Sequence, residues 1–133
     1  MIDADIRWKQ RFQNFEKAIL LFENGLAIKN PSLTEKAGII QFFEISLELA
    51  WKLLKDYQEA QGVQELNFPR QIIKEAFQSN LISNGHIWLE ALTDRNLTSH
   101  TYDEVLANEL VLTLKQKYYP LLADLYKKFK LLI

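Results

Sequence analysis

Only four glycines (Gly25, Gly38, Gly62, Gly85) and three prolines (Pro31, Pro69, Pro120) punctuate the 133 residues, and long stretches of helical periodicity lie around them. From about Asp5 to Ile28, the apolar residues Trp8, Phe12, Phe15, Ile19, Phe22 and Leu26 step by three or four, tracing one face of a first helix that ends at Lys29, Asn30 and Pro31. Ser32 with Glu35 forms a capping-box pair at the head of a second helix reaching Gly62. After a loop from Val63 to Asn67, Phe68 and Pro69 open a third helix carrying Ile72, Ile73, Ala76 and Phe77. Asn84 and Gly85 precede a fourth, from His86 through Thr98, with a break or kink expected between Asn96 and Thr101. A fifth carries Val105, Leu106, Leu110 and Leu114, and Pro120 restarts a last helix through Leu132. No segment alternates apolar and polar residues as a half-buried strand does. The expected fold is therefore all-α, a bundle of four to five up-and-down helices forming one domain over residues 1–133.

Composition removes whole classes of chemistry. With 16 Lys and Arg against 17 Asp and Glu, the net charge of −1 exerts no global pull on nucleic acid or membrane. The absence of cysteine excludes disulfides and thiol nucleophiles. Isolated glycines supply neither a P-loop nor a dinucleotide fingerprint, and the two histidines, His86 and His100, do not make a zinc set. No metal or cofactor is expected. The start MIDADIRWKQ lacks the basic-then-apolar run of a signal peptide, and no stretch is long and apolar enough to span a membrane. A cytoplasmic protein is expected.

Two places hold unusual polarity. On the second helix Gln41, Glu44, Glu48, Lys52, Lys55 and Glu59 advance along one polar stripe, while apolar residues cover most of the remaining circumference. Such a helix is either the centre of the bundle or part of a subunit interface. Glu48 and Lys52 suit a solvated i,i+4 pair; alternatively Glu44 or Glu48 faces an arginine on the fourth helix. That arginine is Arg95, which projects at 100° per residue onto the apolar stripe with Trp88, Ala91, Leu92 and Tyr102. A guanidinium there snorkels, pairs with a carboxylate or lines a cleft. His100 lies about 140° from Arg95 on an unbroken helix, so the two converge on one cleft only if the helix ends or kinks between them, whereas Asn96 and His100, at i,i+4, share a face regardless. Taken singly, Asn96, Thr98 and His100 also suit an ordinary helix C-terminus, and Tyr102 suits the edge of a core.

The stretch Asp94 to Glu104, DRNLTSHTYDE, resembles the signature of HEPN domains: Arg, four residues, His, one residue, Tyr, with Asn directly after the Arg. Phe43 to Gly62 and Pro69 to Trp88 resemble the matching helices of the HEPN subfamily once called nucleotidyltransferase substrate-binding proteins. Roughly Ile39 to Asn108 is covered, and Phe42 stands where relatives commonly carry a basic residue. The resemblance implies a two-fold homodimer with the signature of each chain facing a shared cleft. It implies a toxin that is a metal-independent ribonuclease acting on RNA, held in check by a minimal nucleotidyltransferase antitoxin. By the same resemblance Arg95, Asn96 and His100 are the catalytic positions and Asp94 is a weaker member. Chemistry agrees, because an imidazole is a base or acid at neutral pH and a guanidinium donates two hydrogen bonds to a phosphate. Tyr102 carries a phenol, a side chain that is generally a poor proton carrier at neutral pH but a suitable acceptor for AMP from the partner. Lys115, Lys117, Lys127, Lys128 and Lys130 are candidates for holding RNA or belong to a solvated helix end. The alternative is a non-catalytic subunit that binds a nucleotide or presents substrate to the nucleotidyltransferase.

Overall fold

The computed structural model describes residues 3–133, and every regular element among them is helical. Helix α1 spans Ala4–Leu26, α2 Leu33–Ala60, α3 Pro69–Gln78 and α4 Gly85–Asp94. A 3-10 segment covers Arg95–His100, and a final rod joins α5, Glu104–Thr113, through a π-helical turn, Leu114–Tyr118, to α6, Tyr119–Leu132.

Local chemistry sets most of the ends. Asp3 accepts from the Asp5 amide at 3.0 Å to start α1. The expected Ser32 and Glu35 box is formed, with reciprocal bonds of 3.1 and 2.9 Å. At the head of α3 the Gln71 side chain reaches back to the Asn67 amide at 2.9 Å, ahead of Pro69 in the first turn. Asp103 accepts from the amides of Val105 and Leu106 to open α5. As expected, Pro120 lies in the first turn of a last α-helix through Leu132, although the chain reaches it from α5 without leaving helical winding. It lacks an N–H and its ring crowds the carbonyl four residues back, and the wide π turn just before it takes up that mismatch within a single rod.

The core runs along the α1, α2 and α6 contacts. The Arg11 and Asp56 pair and the approach of Gly25 to Ile39 show α1 and α2 running antiparallel; a Cβ on Gly25 would lie 2.8 Å from Ile39 Cγ1. Trp8 meets Tyr57 and Phe129 edge-on, Phe12 stacks on Tyr126, and Phe43 stacks on Tyr118. All six apolar residues of the α1 face are buried. Helix α2 touches α1, α3, α5, α6 and the 3-10 segment, so its broad apolar surface is explained by a central position in the bundle. The short α3 covers a further flank of α2 with Ile72, Ile73 and Ala76, and α4, carrying the buried Trp88, packs against α3 and the π turn. No described helix is long and apolar enough to cross a membrane.

Candidate functional site

The site begins where α4 stops. The α-helix ends at Asp94, four residues short of the expected Thr98, and Arg95 to His100 continue as 3-10 helix. None of those six residues is buried, so no apolar packing holds the segment to α-helical geometry. Ser and Thr hydroxyls tie its backbone instead: Thr98 Oγ1 donates to the Arg95 carbonyl at 2.8 Å.

At three residues per turn, side chains eclipse at i,i+3, and the segment sorts into three stripes. Asp94, Leu97 and His100 form one, and all three line a cavity of about 150 Å³ between the segment and α5. Arg95 and Thr98 form the second, against α2, where the single Thr98 Oγ1 proton is shared between the Arg95 carbonyl and the Glu44 carboxylate. Asn96, Ser99 and Tyr102 form the third, which is open to solvent; Tyr102 is 78% exposed. Its ring lies 6.1 Å from the His100 imidazole, tilted by 56°.

This arrangement changes several expectations. Asn96 and His100 do not share a face, because i,i+4 is an α-helical relation and the segment is wound more tightly. Arg95 and His100 lie on different stripes, about 120° apart around the segment. Among the described residues Arg95 makes no ion pair, so neither Glu44 nor Glu48 is its partner. Glu48 pairs with Lys52 at 3.0 Å, the solvated pair on the polar stripe. Glu44 does reach the signature, but through Thr98. The exposure of Tyr102 removes the packing on Trp88 or Leu92 that a core-edge tyrosine would have. The C-terminal lysines are mostly engaged locally: Lys117 pairs with Glu90, Lys130 with Glu16, and Lys128 Nζ donates to the Asn80 and Leu81 carbonyls.

One support was not legible in the sequence. The buried Tyr118 phenol, on the π turn, donates to the Asp94 carboxylate at the switch from α4 to 3-10 helix. Burial first, then this bond and the nearby carboxylate charge, raise the Tyr118 phenol well above its ordinary pKa, so it remains the proton donor. The i, i+3, i+6 recurrence of Asp94, Leu97 and His100 was the available signal for a 3-10 stripe. Among the described residues no three His, Asp or Glu side chains gather as metal ligands. What the segment offers chemically is an exposed imidazole at a cavity mouth, a neighbouring guanidinium without a carboxylate partner, and an accessible phenol.

Residues 10–131 match the family described as nucleotidyltransferase substrate binding protein like. A Haemophilus influenzae protein named as a probable ribonuclease HepT is 36% identical over 81 residues, which are 56% of this chain and 56% of that protein. The chain thus matches about half the length of that curated relative. A crystal structure of a Thermus thermophilus protein superposes with a TM-score of 0.70 at 30% identity, covering 86% of this chain and 93% of that one.

Proposed function

The chain belongs to the nucleotidyltransferase substrate binding protein-like family, and on that premise we propose that it is a HEPN ribonuclease toxin that cleaves RNA without a metal ion. The observation that carries this is the 3-10 segment, which holds His100 at the mouth of a cavity and Arg95 on the adjoining stripe, with no carboxylate neutralising the guanidinium among the described residues. The name of the Haemophilus influenzae relative supports the same activity.

In the proposed reaction a base removes the proton of a ribose 2′-OH, whose oxygen attacks the adjacent phosphorus. The P–O5′ bond breaks, an acid protonates the departing 5′ oxygen, and a 2′,3′-cyclic phosphate remains. His100 is the base or the acid. Arg95 balances charge on the phosphorane oxygens with two hydrogen bonds, and Asn96 orients the phosphate or the imidazole. Asp94 and Glu44 support the segment through Tyr118 and Thr98. Each chain carries one histidine in the signature, so a two-fold homodimer that brings two copies of His100 to one cleft supplies both proton-transfer groups. The exposed Val105, beside the signature and outside the cavity, supports pairing on this side.

Control comes from a minimal nucleotidyltransferase partner. The Tyr102 oxygen attacks the α-phosphorus of ATP, pyrophosphate leaves, and the phenol proton passes to solvent. The resulting phosphodiester lies beside His100 and repels incoming RNA phosphates. The exposure of the phenol supports this role. The family description also supports a second reading, a non-catalytic subunit that binds nucleotide or substrate for that partner.

One experiment separates them. RNA incubated with purified protein in EDTA is expected to yield 2′,3′-cyclic phosphate ends, and treatment with the partner and ATP is expected to stop cleavage and add AMP mass at Tyr102. Intact RNA would favour the binding subunit, and an adduct that persists in Tyr102→Phe would overturn the switch.

A further inference from the structure

We propose that the cavity beside His100 is a guanine-binding subsite, in which Glu109 reads the base flanking the scissile phosphate; the inference rests on the ribonuclease reading and adds its substrate preference. The floor of the cavity is apolar, made by the buried Ile40, Ala107 and Leu110. Leu97 and Leu106, 49% and 44% exposed, stand at its sides as two aliphatic jaws. Its volume of about 150 Å³ suits a single planar base and is well below the size of a drug-like pocket. His100 lines it too, so a base held there brings its own ribose phosphate to the imidazole.

The polar groups of the wall decide which base fits. Among the described residues no Lys, Arg, Asn or Gln lines the cavity; its polar side chains other than His100 are Asp94, Glu109, Thr101 and Thr113. Asp94 already accepts from Tyr118, and the Thr113 hydroxyl donates to the Glu109 carbonyl, leaving that hydroxyl as an acceptor. The Glu109 carboxylate has no hydrogen-bond or ion-pair partner among the described residues. The wall is therefore acceptor-rich, and it selects a base with an edge that donates. Guanine alone offers two adjacent donors, N1–H and the N2 amino group, which match the two oxygens of one carboxylate as parallel charge-assisted bonds. Adenine and cytosine offer one amino group beside a ring acceptor, and uracil sets its single N3–H between two carbonyls. Each of these leaves a lone pair facing the carboxylate.

Binding of guanosine, adenosine, cytidine and uridine 3′-monophosphates to the intact chain tests the subsite, followed by chemical-shift titration. Guanosine 3′-monophosphate is expected to bind about tenfold or more tightly than the other three, as a bidentate base contact normally discriminates. Inosine 3′-monophosphate, which lacks the N2 amino group, is expected to lose most of that advantage, and Glu109→Gln to abolish it. Because the inosine comparison alters the ligand, it remains informative even if Glu109→Gln does not fold. Equal affinities, no measurable binding at millimolar concentration, or a guanine preference that persists with inosine or in Glu109→Gln overturns the proposal. Guanine preference without RNA cleavage refutes the ribonuclease reading alone, whereas cleavage without guanine preference refutes the subsite alone.

Discussion

The α1, α2 and α6 core and the Arg95–His100 segment are built on opposite principles. In the first, aromatic rings from three helices interlock, and Phe15, Phe22, Phe43 and Phe129 lose all contact with water. In the second no residue is buried, and the backbone is wound into a poorer hydrogen-bond geometry. The difference teaches where folding energy comes from and where it is not needed. A fully buried aromatic side chain contributes several kcal/mol through burial and packing, while an exposed polar turn contributes little. The proposed chemistry, which requires an open imidazole and phenol, thus falls on a stretch whose side chains the core does not depend on.

The strongest way to break that contrast is Phe43→Ala. This ring is fully buried, stacks on Tyr118 and tilts against Phe22. A loss of about 3–5 kcal/mol in unfolding free energy is expected, measured by urea denaturation. A cost below about 1 kcal/mol would show that the core collapses around the gap and is not close-packed there.

A smaller effect sharpens the boundary between the regions. Tyr118 belongs to the core, yet its hydroxyl holds Asp94 at the head of the 3-10 segment. Tyr118→Phe keeps the ring and deletes that tie, so a stability cost of about 1 kcal/mol is expected, together with a several-fold loss of RNA cleavage. Unchanged cleavage would mean that the segment holds its winding without the tie.

The smallest effect concerns pH. Glu16 accepts from Tyr126 at 2.5 Å and from Lys130 at 2.9 Å, and these two bonds hold its carboxyl below the ordinary value of 4.5. Because the folded value is depressed, this stabilisation is present above pH 4.5 and fades as the pH falls through the folded value. Glu16→Gln is expected to lower stability slightly at neutral pH and to flatten the acid limb of the stability curve below 4.5. An acid limb identical to that of the parent chain would remove Glu16 as a contributor.

The two regions also differed in how well the sequence announced them. The i, i+3, i+4 spacing of Trp8 through Leu26 selected one buried face, and Ser32 with Glu35 marked a helix start to the residue, because burial and capping impose strict local rules. Arg95 to His100 obeyed a rule of another period. Its residues suit an α-helical C-terminus as well as a 3-10 turn, and the choice came from contacts distant in sequence: Asp94 with Tyr118, and Thr98 with Glu44. Nothing local to DRNLTSH encodes those partners. The same holds for Pro120, which marked a discontinuity without specifying that a π turn would absorb it. The signature pointed to Arg95, His100 and Tyr102 by resemblance, while the stripes they occupy became visible only with the winding of the segment.

The central claim is that the exposed segment carries the chemistry and the core carries the stability. Its most direct test is a paired measurement on Arg95→Ala with His100→Ala in one chain: thermal melting by circular dichroism, and RNA cleavage in EDTA. Melting within about 0.5 kcal/mol of the parent chain is expected, as for surface substitutions away from structural contacts, with cleavage reduced at least about 10²-fold. Retained cleavage, or a melting loss comparable to that of Phe43→Ala, would contradict it.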